Sequence, residues 1–163
     1  MRKNPNVKLV FVMLSLLALV AMGTAQMPNP YGPPVSLDVA RKAAVRALAE
    51  AAKNNWTVAV AIVDPAGNLV YYEKMDNTQL SSAHLSVDKA RTAALYKRPT
   101  KAFQDTLGNG GEALRILSLP GVVATEGGIP LVSEGKIVGA IGVAGMTSAQ
   151  DNQCARAGAE TVK

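Results

Sequence analysis

Apolar residues recur at helical spacing from Leu37 to Ala51, at Leu37, Ala40, Ala44, Leu48 and Ala51, with Lys42, Arg46, Glu50 and Lys53 on the opposite stripe. This pattern predicts an amphipathic helix. Ser36 is placed to cap it, Asp38 stands at the positive end of its dipole and four residues before Lys42, and Asn54-Asn55 end it. From Thr57 to Val63 the pattern changes, because nearly every position is apolar. A strand covered on one face alone would alternate, so this one reads as central, with helices on both faces of its sheet. Asp64-Pro65-Ala66-Gly67-Asn68 is turn chemistry, and Leu69 to Met75 returns as an alternating strand.

A second helix is predicted from Ser81 to Tyr96, with Ala83, Val87, Ala90 and Ala94 on its apolar stripe and His84, Asp88, Arg91 and Leu95 beside it. Arg98-Pro99 interrupts, and Thr100 reads as the cap of a short helix over Lys101 to Leu107. Gly108-Asn109-Gly110-Gly111 stops that helix, Glu112 to Leu117 adds a further turn, and Leu119 to Ala124 reads as a short edge strand. Gly127 to Val132 and Ile137 to Gly145 form a hairpin around Glu134-Gly135-Lys136, and a last helix follows over Asp151 to Gly158. Glycines inside the second run, Gly139 and Gly142, mark a place where another backbone or a ligand comes close. The order is α-β-β-α-α-(β)-β-β-α, and hairpins exclude an all-parallel sheet. The expected fold is α+β, an antiparallel sheet of about five strands with helices packed on both faces.

The start of the chain follows other rules. Arg2, Lys3 and Lys8 precede an apolar run from Leu9 to Met22, and Gly23-Thr24-Ala25 offers small residues for cleavage. The run is shorter than the roughly 20 residues of a spanning helix. Residues 1–25 therefore read as a secretory signal peptide, 26–35 as an extended proline-rich arm and 36–163 as a single domain. The expectation is a periplasmic or extracellular protein with no membrane span after cleavage. Three of the 17 basic residues and none of the 12 acidic ones lie before Ala25. The mature chain then carries 14 against 12, a net charge of about +2, and nucleic-acid binding loses its electrostatic support. Cys154 is the single cysteine, so no internal disulfide forms, and it reads as a small buried hydrophobe.

Catalytic constellations are scarce. His84 is the one histidine, so a site of two or more histidines is excluded. The chain has no Gly-x-Ser-x-Gly elbow and no phosphate-binding loop. His84 and Asp88, four apart on one helix, could pair, and a neutral imidazole could also ligate haem iron, with Met75 or Met146 as conceivable partners. Covalent haem attachment through Cys-x-x-Cys-His is excluded.

Several stretches together resemble the GlcG/HbpS family, whose fold also occurs as the C-terminal domain of PduO-type proteins. They are Asp64-Pro65-Ala66-Gly67-Asn68-Leu69-Val70, Asp88-Lys89-Ala90-Arg91-Thr92-Ala93, Lys97-Arg98-Pro99-Thr100, Gly127-Gly128-Ile129-Pro130, and Val138 to Gly145 with Gln150-Asp151. The resemblance covers roughly Ser36 to Val162 and implies a five-stranded antiparallel sheet between helices, assembling into dimers or larger rings. It also implies haem, or another tetrapyrrole, as the bound cofactor. Thr100 is the haem-contacting position it points to, and His84 is the other candidate iron ligand. Arg91, Lys97 and Arg98 are candidates for the propionates, with Leu85, Leu95, Tyr96 and Phe103 as candidate walls. An exported protein for haem capture, storage or sensing follows. The alternatives are a non-catalytic subunit held by an envelope protein partner, or an enzyme acting on a small acid or corrinoid.

Overall fold

The computed structural model describes residues 28–163, so the predicted leader and the start of the arm lie outside the described residues. In chain order these form α1 (Leu37–Lys53), β1 (Ala59–Val63), β2 (Leu69–Lys74), α2 (Ser82–Leu95), α3 (Thr100–Leu107), a 3-10 helix (Gly111–Ser118), β3 (Gly128–Ser133), β4 (Lys136–Ala144) and α4 (Ser148–Ala159). One antiparallel sheet runs in the order β2-β1-β4-β3. All five residues of β1 are buried, as its unbroken apolar run requires of a strand covered on both faces.

Helices α1 and α4 cover one face and α2 the other. Val60, Ile62 and Ile141 meet the alanine stripe of α1 and Cys154 and Ala155 of α4, whereas Val63 and Ala140 meet Ala90, Ala93 and Ala94 of α2. The second face is lined by small side chains, so α2 sits almost on the strand backbone. A Cβ on Gly142 would collide with the Ser86 carbonyl oxygen and lie 2.5 Å from the Ala90 nitrogen. Ser36 caps α1 as expected, accepting from Val39 N. The turn between β3 and β4 places Glu134 and Gly135 at φ +50° and +72°, the left-handed pair a two-residue hairpin turn needs.

The sheet has four strands, one fewer than expected. Leu119 to Ala124 is turn and irregular backbone, because Pro120 has no N–H to give a neighbour and Gly121 turns at φ +67°. Side chains hold it instead: Tyr96 Oη donates to Pro120 O at 2.8 Å, and Thr92 Oγ1 bonds Gly121 O and Val123 N. The position beside β4 beyond the end of β1 is taken by the N-terminal arm. There Gly32 N donates to Ile137 O and Ile137 N to Pro30 O, each at 2.8 Å.

Candidate functional site

α2 ends where Lys97 takes a left-handed conformation, φ +55°, and Pro99 opens α3. Thr100 is not the cap of α3, as the sequence pattern had it. Pro99 occupies that position, and Thr100 is the first helical residue, fully buried. Its Oγ1 accepts from Gly128 N at 2.9 Å, fixing the entry of β3 against the start of α3. The space there is tight, since a Cβ on Gly128 would meet Lys89 O and lie 2.6 Å from Thr100 Cγ2.

This corner borders an apolar groove of about 360 Å³, floored by Pro99, Ile129, Pro130 and Val132 and closed by Pro28 and Ile137. Lys97 supplies its cation, with Nζ 4.2 Å from the centroid of the Tyr31 ring. Tyr31 in turn donates to the carbonyls of Ala94 and Leu95, so the arm, the end of α2 and Lys97 form one unit. Arg98 is exposed; Nε donates to Tyr96 O, and its guanidinium lies 5.5 Å from the Phe103 ring centroid. The Tyr96 and Phe103 rings pack edge to face, centroids 5.5 Å apart, and neither lines the Lys97 groove.

The other sequence candidates lie elsewhere. Arg91 donates from Nε to Gly67 O at 3.1 Å and sits 3.8 Å from Asp88, so it braces the β1–β2 turn. Asp88 therefore pairs with Arg91 and not with His84. His84 is exposed in the first turn of α2 and makes no side-chain hydrogen bond among the described residues. At about 1.5 Å per residue, roughly 16 Å of helix separates it from the turn that holds Lys97. The structure thus gathers Lys97, Arg98 and Thr100 at one corner and leaves Arg91 and His84 further up the same helix. Among the described residues no group of three or more His, Cys, Asp and Glu could hold a metal ion.

One polar pair escaped the reading of the sequence. Lys89 on α2 and Asp151 on α4 form an ion pair at 2.7 Å, their side chains 1% and 3% exposed. Lys89 also donates to Val143 O at 3.0 Å, and the second Asp151 oxygen accepts from Met146 N at 3.0 Å. Burial raises the Asp151 pKa, and the Lys89 charge opposes it. Gly127, at φ +120°, lies over the pair, where a Cβ would stand 2.9 Å from Lys89 Nζ. Both residues fall in stretches that carry the family resemblance, but their sequence separation of 62 hid the contact.

The model of the family described as "Haem degrading protein HbpS-like" matches residues 35–160. The chain is 44% identical over 94 residues to protein GlcG of Escherichia coli (strain K12), which is 58% of this chain and 69% of that protein. A double mutant of Streptomyces reticuli HbpS is similar in structure at a TM-score of 0.74 and 32% identity, over 88% of this chain and 94% of that one. A PduOC:heme complex is similar in structure at a TM-score of 0.72 and 25% identity, over 80% of this chain and 96% of that one.

Proposed function

Because the chain belongs to the HbpS-like family, whose model spans residues 35–160, we propose that it binds haem and acts in haem capture, storage or sensing. One observation carries this reading to a place on the molecule. The groove at the α2–α3 corner offers an apolar floor of Pro99, Ile129, Pro130 and Val132 with the Lys97 cation beside it. That lining fits the flat apolar face and the carboxylates of a porphyrin. Burying such a face is favourable by about 25 cal/mol per Å², and Lys97 and Arg98 would meet propionates by charge-assisted hydrogen bonds. Bound haem would supply a redox-active iron.

The groove lining contains no histidine, methionine or cysteine. His84 carries an accessible imidazole, whereas the Thr100 hydroxyl is engaged with Gly128 N. His84 is the proposed iron ligand, supplied by a second copy of the chain because roughly 16 Å of helix separates it from this groove, and Thr100 is the alternative at the corner itself. The groove is shallow and flanked by the open edge of β3, which fits a haem seated between two copies of the chain. The proposal accordingly includes a homo-oligomer. Export to the periplasm or beyond is proposed from the basic and apolar pattern of residues 1–25.

Haemin titration followed by absorbance tests the reading. The expected result is a Soret band that saturates at a fixed ratio of haem to chain. Lys97→Glu should weaken binding about tenfold, the equivalent of roughly 1.4 kcal/mol. His84→Ala should shift the band if the imidazole is the ligand. Thr100→Ser keeps the bond to Gly128 and should bind as the parent, while Thr100→Ala leaves a buried N–H unpaired and costs about 1–3 kcal/mol of stability. A weak rise that never saturates would remove haem as the ligand.

A further inference from the structure

On the far side of Pro99 and Ile129 from Lys97 lies a second depression, of about 380 Å³, between α3 and α4. Its floor is Pro99, Ala102 and Ile129, and Asn152 and Arg156 of α4 form a wall. These two residues stand one helical turn apart, so their side chains share a face. The Arg156 guanidinium is exposed and enters no ion pair among the described residues. It stands where three depressions meet. Asn152 is only 9% exposed, and no hydrogen bond among the described residues engages its carboxamide. Its amide atoms are not among the buried unpartnered ones of the described residues, so the carboxamide opens on the depression and is free to meet a ligand. On the opposite wall Lys101 donates to both oxygens of Asp105, at 2.7 and 3.0 Å, so those charges cancel each other.

The unspent groups here are therefore one guanidinium fork and one carboxamide, above an apolar floor. We propose that Asn152 and Arg156 form a carboxylate-binding site for a ligand whose apolar body lies on Pro99 and Ile129. A guanidinium matches a carboxylate in two parallel hydrogen bonds, and the Asn152 amide N–H can add a third. A cation would be repelled by Arg156, and a sugar would leave the floor unused. Pro99 and Ile129 also floor the Lys97 groove, so one flat molecule can cross the ridge between the two depressions. The carboxylate is then a propionate of a bound tetrapyrrole, an assignment that rests on the haem reading. A free apolar monocarboxylic acid has the same chemistry and is the other source.

The test compares haemin with haemin dimethyl ester, and benzoate as a free acid, on the purified parent, Arg156→Gln and Asn152→Ala, with circular dichroism to verify that each folds. If a propionate is the occupant, haemin binds about tenfold more weakly to Arg156→Gln, while the ester binds parent and variant alike. If a free acid is the occupant, the parent takes up no haemin, benzoate shifts the Asn152 side-chain amide resonances, and Arg156→Gln abolishes that shift. This outcome keeps the carboxylate site and overturns the haem reading. If the parent binds haemin and both variants match it with haemin and ester, the site is wrong and the haem reading stands. If the parent binds none of the three, both fall.

Discussion

Burial, reinforced by the negative charges of Asp151 and Glu50, pushes the Cys154 thiol up to about 12. A thiol is reactive only as thiolate, so the folded protein should resist modification by a disulfide reagent at pH 8 and give one fast-reacting thiol in urea. Fast reaction without denaturant would show that the α4 contact opens readily. The linkage has a definite sign. Between the ordinary value of 9.0 and about 12 the unfolded chain loses a proton that the folded chain keeps, so stability falls as pH rises through that window. Cys154→Ala should lack this component. Composition alone made Cys154 readable as core. Thr100 was harder, because a threonine after a proline satisfies the rules for a helix cap, and only the approach of β3 shows that its hydroxyl serves Gly128. Arg156 and Asn152 carry no periodic signal, since a free guanidinium is recognised only by the absence of an acceptor around it.

Helices and hairpins with one strong period were legible at the level of the element. The stripe of α1, the unbroken run of β1 and the Glu134-Gly135 turn each follow from spacing and turn chemistry. The segment from Leu119 to Ala124 was not, because its two valines imitate a strand while Pro120 and Gly121 bend the chain away. The arm reads as an extended segment from its prolines, and three backbone bonds tie it to Ile137 and Val138, a pairing its composition does not announce. The glycines of β4 were read as a close approach, and both meet backbone: Gly142 faces Ser86 and Ala90 of α2, and Gly139 faces the Val63 carbonyl. Gly142→Ala should therefore force α2 away from the sheet and cost several kcal/mol, in the range of severe overpacking. Melting of the variant checks this, and an unchanged midpoint would refute the contact.

For the molecule as a whole, Lys89 and Asp151 join the two helical layers. α2 and α4 lie on opposite faces, and their side chains meet at the last residues of β4, beside Val143 and under Gly127. Removing one partner strands the other in a buried site, so Lys89→Met should cost about 3–5 kcal/mol. Adding Asp151→Asn should recover part of that loss, and a double-mutant cycle measures the coupling. Additive losses would mean that each residue acts alone.

The two walls of the Asn152–Arg156 depression differ in how they are held. One belongs to α4, fastened through this pair, and the other to α3, which buries only Thr100 and Phe103. Lys101, Ala102 and Asp105 could thus be exchanged over evolutionary time with little threat to the sheet, whereas changes along α4 would have to respect the layer beneath. Ligand preference in this fold can drift on one side of a groove while heredity of the fold is kept by the other.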